Sequence, residues 1–413
     1  MAGSTESWRM KLGPATRAGR MRDFRMKVPG VWVKWRRSSG FLWSWVFMVE
    51  RSNQVSVVFI GMEINLKNIA FDLDFHPSNQ LVAAGLITGN LFLYRYAEDS
   101  EPQRVLKVRA HRESCRAVRF INEGRVILTG SPDCSILATD IETGSPVARL
   151  ENSHEKAVNR LVNLTETTIA SGGDEGCIKV WDTRQQSCCN SFQVHEEYIT
   201  DMAFEPDSMK LLGTSGDGTL SVSNLRSNKV QTQSEFSEDE PLSIVIMKNG
   251  RKVICGTESG TMLIYSWGFF KDCSDRFTAL SPNPVNSLLK LDEERVITGT
   301  ENGLISLVGI LPNRVIQPIA EHSEYPVERL AFSHDRKFLG SISHDSILKL
   351  WDIDSLLQDS GKKVEGKSAA DSDDDEMDMD TDNIPPKSSK GTKRKNNGRA
   401  QGLDTTSDFF ADL

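Results

Sequence analysis

Ile169-Ala-Ser-Gly-Gly-Asp-Glu-Gly-Cys-Ile-Lys-Val-Trp-Asp-Thr-Arg184 reads as a small apolar strand, a tight acidic-glycine turn, an alternating strand carrying Ile178 and Val180, and a Trp-Asp ending. A second copy lies far downstream, where Leu348-Lys-Leu-Trp-Asp352 repeats Ile178-Lys-Val-Trp-Asp182. Working outward from Trp181, the equivalent position after an alternating strand recurs at Tyr94, Thr139, Trp181, Ser223, Tyr265, Val308 and Trp351. The successive spacings are 45, 42, 42, 42, 43 and 43 residues. Five residues before each stands a turn column, Gly89, Cys134, Gly176, Gly218, Gly260, Gly303 and Ser346. A tight hairpin turn needs positive φ there, which glycine adopts without a steric penalty. Upstream of each turn is a short strand ending in small residues, and before that an alternating strand such as Phe71/Leu73/Phe75 or Leu330/Phe332. A fourth strand fits after the Trp-Asp position, so each unit holds four short antiparallel strands. A period of about 42 residues with that content is the signature of a propeller blade.

These residues resemble the WD-repeat β-propeller family. The resemblance implies an all-β fold, a single seven-bladed propeller with disordered termini, and three regions: an N-terminal extension over 1–61, the propeller over 62–358 and a tail over 359–413. It also implies a buried hydrogen-bonded set in the blades. His322, Ser341, Asp345 and Trp351 occupy all four of its positions in the last blade. In the third blade His154, Ser171 and Trp181 match, with Glu175 standing where Asp is expected. His111 and His195 hold the histidine position in two further blades, whereas blades one, five and six lack the Trp, the His or both and are expected to rely on apolar packing alone. Each histidine has the same place in its own blade, which disperses them around the ring. They therefore read as satisfied buried groups rather than metal ligands or general bases. The last blade is one strand short before Ser360-Gly361, so its outermost strand is expected from the N-terminal side, at residues 63–66 or 55–60.

The chain has 413 residues, a net charge of -8 and 38% hydrophobic residues. Residues 1–61 carry eleven Lys/Arg against three Asp/Glu and hold five of the eight Trp. This segment is foreign to the acidic body. It has some transit-peptide character, but reads first as a dispensable extension or the product of an upstream start, with Met62 the natural beginning of the pattern. The seven cysteines form no CxxC pair and no zinc-like spacing, which fits a reducing compartment. Residues 41–49, the longest apolar run, fall far short of a membrane span.

Beyond residue 358 the repeat stops. An acidic tract over 368–382 is followed by a basic run ending in Lys393-Arg394-Lys395, blocks of like charge that cannot bury enough surface to fold. Lys393, Arg394 and Lys395 read as a nuclear-localisation signal. Ser372, followed by three Asp, reads as a phosphorylation candidate for an acid-directed kinase. Phe409-Phe410 close the chain either as a short docking peptide or as an inert end.

No phosphate-cradling loop, HExxH or nucleophile elbow is present. The reading is a non-enzyme with no catalytic residues, no cofactor, no metal and no small-molecule substrate. Its partners are proteins, and the acidic body disfavours direct nucleic-acid contact. Function then rests on surface features. Residues 169–184 resemble the box of WD-repeat proteins that dock on the damaged-DNA-binding adaptor of cullin-RING ubiquitin ligases, which points to Trp181, Asp182 and Arg184. A permanently charged, planar guanidinium at a blade end suits an acidic partner surface. The segments Tyr265-Ser-Trp-Gly-Phe-Phe270, Gly309-Ile-Leu-Pro-Asn-Arg-Val315, Cys115-Arg-Ala-Val118 and Asp408-Phe-Phe-Ala411 resemble the WD repeat-containing protein 55 family, in its plant members. That resemblance implies a nuclear scaffold, nucleolus included and with the cytoplasm as a second compartment, having a role in growth and reproductive development. It implies either the receptor of a cullin-RING ligase or, alternatively, a ribosome-biogenesis factor acting in rRNA processing.

Overall fold

Every member of the turn column has positive φ, from Cys134 at 62° and Ser346 at 64° to Gly303 at 85°. The column therefore punctuates the chain as its residue types require, and between the turns lie short antiparallel strands. The computed structural model describes residues 61–97, 100–278 and 280–358 in full, and the backbone of strands Phe24–Val28, Val31–Arg37, Trp43–Arg51 and Gln54–Asn65. The remaining extension and the tail, with Ser372, Lys393, Arg394, Lys395 and Phe409-Phe410, lie outside the described residues.

The fold is a seven-bladed β-propeller. Blades 1 to 6 are four-stranded sheets that run in simple sequence order. The first strands are Ala70–Phe75, Ala117–Ile121, Val158–Asn163, Ile199–Glu205, Pro241–Met247, Val285–Lys290 and, in blade 7, Val327–Phe332. Each touches the next around the central channel, and that of blade 7 touches that of blade 1. Blade 7 takes its fourth strand from Gln54–Asn65, with Gly61 opposite Trp351, Glu63 opposite Lys349 and Asn65 opposite Ile347. The expected closure from the N-terminal side is thus made by 61–65. Lys349 clasps it, pairing with Glu63 at 3.4 Å and donating to Glu321 O at 3.1 Å. The strands Trp43–Arg51, Val31–Arg37 and Phe24–Val28 extend the same sheet outward.

The apolar core falls into seven clusters, one at each blade interface. Ala170, Ile178, Ile199, Met202 and Leu211 join blades 3 and 4, while Met62, Ile64, Phe75, Tyr96, Phe338 and Leu348 join blade 7 to blade 1. No blade buries its faces by itself, so stability belongs to the stack. Small residues in each second strand set the spacing. A Cβ on Gly172 would sit 2.7 Å from Ile199 Cγ2, and one on Gly299 2.7 Å from Val327 Cγ1. The β-branched residue that opens the next blade fills the space that glycine leaves.

Six first strands share a β-bulge, the register skipping Phe71, Asn159, Thr200, Leu242, Asn286 and Glu328. A bulge leaves one residue unpaired and re-aims its neighbours. The residue after each bulge does the joining. Asp72 accepts from Val118 N at 2.8 Å, Ser243 Oγ donates to Val285 O at 2.9 Å, and Ser287 Oγ accepts from Leu330 N at 3.1 Å. Blades 1, 5 and 6 are therefore latched to their successors by polar bonds, which corrects the expectation of apolar packing alone. The alternation of the first strands marked their apolar face, whereas these polar latches depend on the bulge.

In the same tier Arg329 of blade 7 reaches across the channel to Asp201 of blade 4, with Nη1 to Oδ1 at 3.1 Å. It also approaches Asp72 of blade 1 at 3.4 Å. Arg119 adds a 2.6 Å bond to Asp72, and Arg160 donates to Thr200 O at 2.7 Å beside Asp201. Asp72 is fully buried and Asp201 nearly so. One tier lower Asp74 accepts from Phe120 N at 2.8 Å, and burial pushes its carboxyl up to about 6 against the pull of Arg119. Removing one member of a buried ion-pair network strands the opposite charges and costs about 3–5 kcal/mol. Arg329→Met is expected to lower the unfolding free energy, read from urea titration, by that amount, and adding Asp201→Asn should restore part of it. An unchanged urea midpoint would show that the cross-channel bridge carries no stability.

Candidate docking site

The turn that carries the Trp-Asp-Thr-Arg sequence joins the third strand of blade 3, Cys177–Asp182, to its outer strand Ser187–Gln193. Trp181 is buried, and its indole Nε1–H donates to Ser171 Oγ at 2.8 Å. Ser171 Oγ lies 2.6 Å from His154 Nε2, and His154 Nδ1 lies 2.5 Å from Glu175 Oε1. Every donor in this chain has an acceptor if the imidazole is neutral with its proton on Nδ1. Burial is the largest single influence on Glu175 and pushes it up, but the bond from His154 and the smaller attractions around it, Lys179 among them, together hold the carboxyl below its ordinary value. The longer Glu side chain spans the distance an Asp covers elsewhere. The neighbouring Asp174 binds Asn159 and pairs with Arg116 at 3.6 Å.

Asp182 folds back on the turn. Its Oδ1 accepts from Arg184 N at 2.8 Å and Gln185 N at 3.0 Å, and the Gln185 bond is the main cause of its lowered pKa. Thr183 N donates to Thr167 O at 2.9 Å, tying the turn to the preceding loop. The backbone under Arg184 is therefore rigid. The guanidinium is not fixed, because it is 71% exposed and meets Asp182 Oδ2 only at 3.6 Å, a surface pair that adds little stability. In blade 4 the equivalent Arg226 instead donates to Asp207 O at 2.9 Å, above the same kind of turn built on Asn224. Asp140 and Asp352 cap the corresponding turns of blades 2 and 7. Trp181 and Asp182 thus do what their counterparts do, and Arg184 is what the repeat leaves over.

The four-residue chain recurs in blade 7. Trp351 Nε1–H donates to Ser341 Oγ at 2.8 Å, Ser341 lies 2.7 Å from His322 Nε2, and His322 Nδ1 lies 2.8 Å from Asp345. Two three-membered versions were not legible from residue types. His111 joins Asp133 at 3.0 Å and Thr129 at 2.8 Å, and His195 joins Asp217 at 3.1 Å and Ser221 at 2.8 Å. In blade 4 the hydroxyl comes from the third strand because Gly213 stands opposite it in the second. These sets occupy the face formed by the second-to-third turns and the loops entering each blade. Arg184 lies on the opposite face, with the first-to-second and third-to-outer turns. Among the described residues no three His, Cys, Asp or Glu side chains converge as a metal site would require. No described helix is long and apolar enough to cross a membrane.

The WDR55 family model matches residues 62–356. The chain is 67% identical over 309 residues to WD repeat-containing protein 55 of Arabidopsis thaliana, covering 75% of this chain and 87% of that protein. It is 38% identical over 295 residues to the Bos taurus protein of the same name, covering 71% and 77%. To the Dictyostelium discoideum WD repeat-containing protein 55 homolog it is 36% identical over 297 residues, with 72% of each chain covered.

Burial holds His111 and His322 below the ordinary value of 6.5 despite their carboxylate partners. A proton then binds the unfolded chain more readily than the folded one, so stability is full above about pH 6.5 and lost as pH falls from there. His344, raised chiefly by its bond to Glu328, and Asp74, raised by burial to about 6, act in the opposite sense. Thermal unfolding of Asp74→Asn, which removes that opposing titration, followed from about pH 8 to pH 5 should show a flat midpoint followed by a decline. A midpoint that rises on acidification would rule out neutral buried imidazoles.

Proposed function

The chain belongs to the WDR55 family, a WD-repeat propeller family of protein-interaction scaffolds, and from that premise we propose that it is the substrate receptor of a cullin-RING E3 ubiquitin ligase. It docks on the damaged-DNA-binding adaptor through Arg184. The observation that carries this reading is the contrast between Arg184 and Arg226. Both stand two residues beyond a capped strand end and both are exposed, but Arg226 is tied to the carbonyl of Asp207, whereas the Arg184 guanidinium meets Asp182 at 3.6 Å above a turn fixed by Asp182 and Trp181. An exposed Arg on a rigid backbone presents its donors to a partner carboxylate, and Arg is enriched among interface hot spots. The protein works in the nucleus, including the nucleolus, through import by Lys393, Arg394 and Lys395, and Ser372 is a site for phosphorylation.

Co-precipitation of the adaptor with the wild type and with Arg184→Ala tests the docking. A loss of at least about tenfold is expected from removing one hot-spot residue, with the unfolding midpoint unchanged. Equal recovery, or none from the wild type, refutes it.

One observation favours the second reading, a nucleolar factor in rRNA processing. The outer strand of blade 1, Ser100–Arg109, exposes Arg104, Lys107 and Arg109 beside Arg95, a local cationic strip on an acidic body. Depletion should then raise precursor rRNA, and unchanged precursor levels would leave the ligase reading alone.

A further inference from the structure

The six bulged residues, Phe71, Asn159, Thr200, Leu242, Asn286 and Glu328, come from blades 1, 3, 4, 5, 6 and 7 and meet at one place. All six line a cavity of roughly 460 Å³ at the mouth of the channel, on the face opposite Arg184. In blade 2 Arg116 takes the corresponding place, its backbone N–H donating to Gly130 O at 2.9 Å. The cavity is blind, because one tier below it Arg329 crosses the channel to Asp201 and Arg160 is tied to Thr200 O. It has room for a side chain, not for a threading strand.

The charges around it are unequal in their freedom. Arg116 is taken up by Asn159 Oδ1 at 2.6 Å and Asp174 at 3.6 Å, and Arg160 by Thr200 O and Asp201. Glu328 is met by His344, a titratable partner, at 2.6 Å, and also feels the charge of Arg160. On the rim beside Leu242, Tyr198 donates to Glu240 at 2.5 Å, with Glu197 and Glu258 close by. Among the described residues none of these three carboxylates has a cation within ion-pair distance. Burial raises Glu240, and the charges of Glu258 and Glu197 add to it, a sign that negative charge here is uncompensated. An apolar side chain thus stands next to a carboxylate twice, Phe71 with Glu328 on adjoining blades and Leu242 with Glu240 in blade 5.

We infer that this crown of bulged residues is a docking well for one cationic side chain, Lys or Arg, presented by a partner protein. Its aliphatic stem packs on Phe71 or Leu242 and its charge meets Glu328 or the rim carboxylates. An acidic or neutral apolar side chain would leave those carboxylates unpaired under the bound partner and is disfavoured for that reason. The amide of Asn286 supplies a donor and an acceptor for the backbone that carries the cation. This assignment does not rest on adaptor docking. If both hold, the two faces divide the work, one for assembly and one for the recognised protein.

The test selects a displayed library of random nonapeptides against the full chain. Sequences carrying Lys or Arg should be enriched. A synthetic peptide from that pool should bind Glu328→Gln about tenfold more weakly, as expected for loss of one partner of a partly desolvated charge pair. It should not bind Leu242→Arg, which places a competing cation in the well, and should bind Arg184→Ala as it binds the wild type. Hydrogen exchange of the wild type with the peptide locates the site without any variant, through protection at the starts of the first strands around Asn159 and Asn286. No enrichment, enrichment of acidic or wholly apolar peptides, unchanged affinity in either well variant, or protection elsewhere overturns the proposal. Loss of the adaptor from Arg184→Ala with peptide binding intact separates the two readings, as does the converse.

Discussion

Closure of the ring is the constraint on which everything else depends. Each blade is a twisted sheet with two faces to bury, and only its neighbours can bury them. An open arc would leave Ile342 and Leu348 on one side and Phe75 and Val82 on the other facing water, although all four are buried in the closed ring. The pairing of Glu63 with Lys349 and of Gly61 with Trp351 prevents that by fastening the first described part of the propeller to its last strand. Lys349 strengthens the seam beside Trp351, holding Glu63 and the carbonyl of Glu321 at once. In blade 3 the matching Lys179 makes the carbonyl bond, to Ser153, and the strand beside it follows in ordinary chain order.

Two kinds of polar device maintain the ring, at different radii. The histidine sets lie further out and brace single blades, linking the loop that enters a blade to its central hairpin. That loop is also bonded to the turn of the preceding blade, as in His195 N to Gly176 O and His322 N to Gly303 O, so one residue supports two blades. The Asp and Arg residues of the channel lie innermost and join adjacent blades, and Arg329 with Asp201 also joins blades 7 and 4, which are not neighbours. Blades 2, 3 and 7 supply the guanidiniums and blades 1 and 4 the carboxylates. Such a network is weak evidence for added stability, because desolvation offsets much of the attraction. Its geometric effect is to block the channel, and this makes the mouth above it a well.

The two faces follow from the same topology. With four antiparallel strands to a blade, the turns divide strictly between the two ends of the sheets. The face with the histidine sets also holds the crown of bulged residues, and Arg184 is confined to the other. A scaffold of this kind can engage two partners without competition, the rigid disc carrying both sites at fixed separation. The side chains that offer themselves are those the repeat does not use: Arg184 on one face, Glu328 and the rim carboxylates on the other.

Much of this was legible in the sequence, for a physical reason. A blade is a local unit, so its turn residues, its alternating strands and the position of its Trp-Asp ending recur at a spacing of 42 to 45 residues, and a column such as Gly176, Gly218 and Cys134 reveals positive φ through residue type and spacing alone. The tetrad of His322, Ser341, Asp345 and Trp351 was legible on the same ground, since all four lie within one blade. The strand that closes blade 7 could be narrowed but not chosen, because both 55–60 and 63–66 have strand character and only the register against Ile347–Asp352 decides. Residue types could not reveal the pairing of Arg329 with Asp201, which stand 128 positions apart in different blades. Nor could they reveal the crown, because a bulge is a property of two strands in register and its residues converge only when seven blades close on one axis. The linear order of residues thus specifies the blade, its period and the number of blades. What fills the centre of the ring, and which leftover side chains share a face, are decided by the tertiary fold, because those relations exist only between blades.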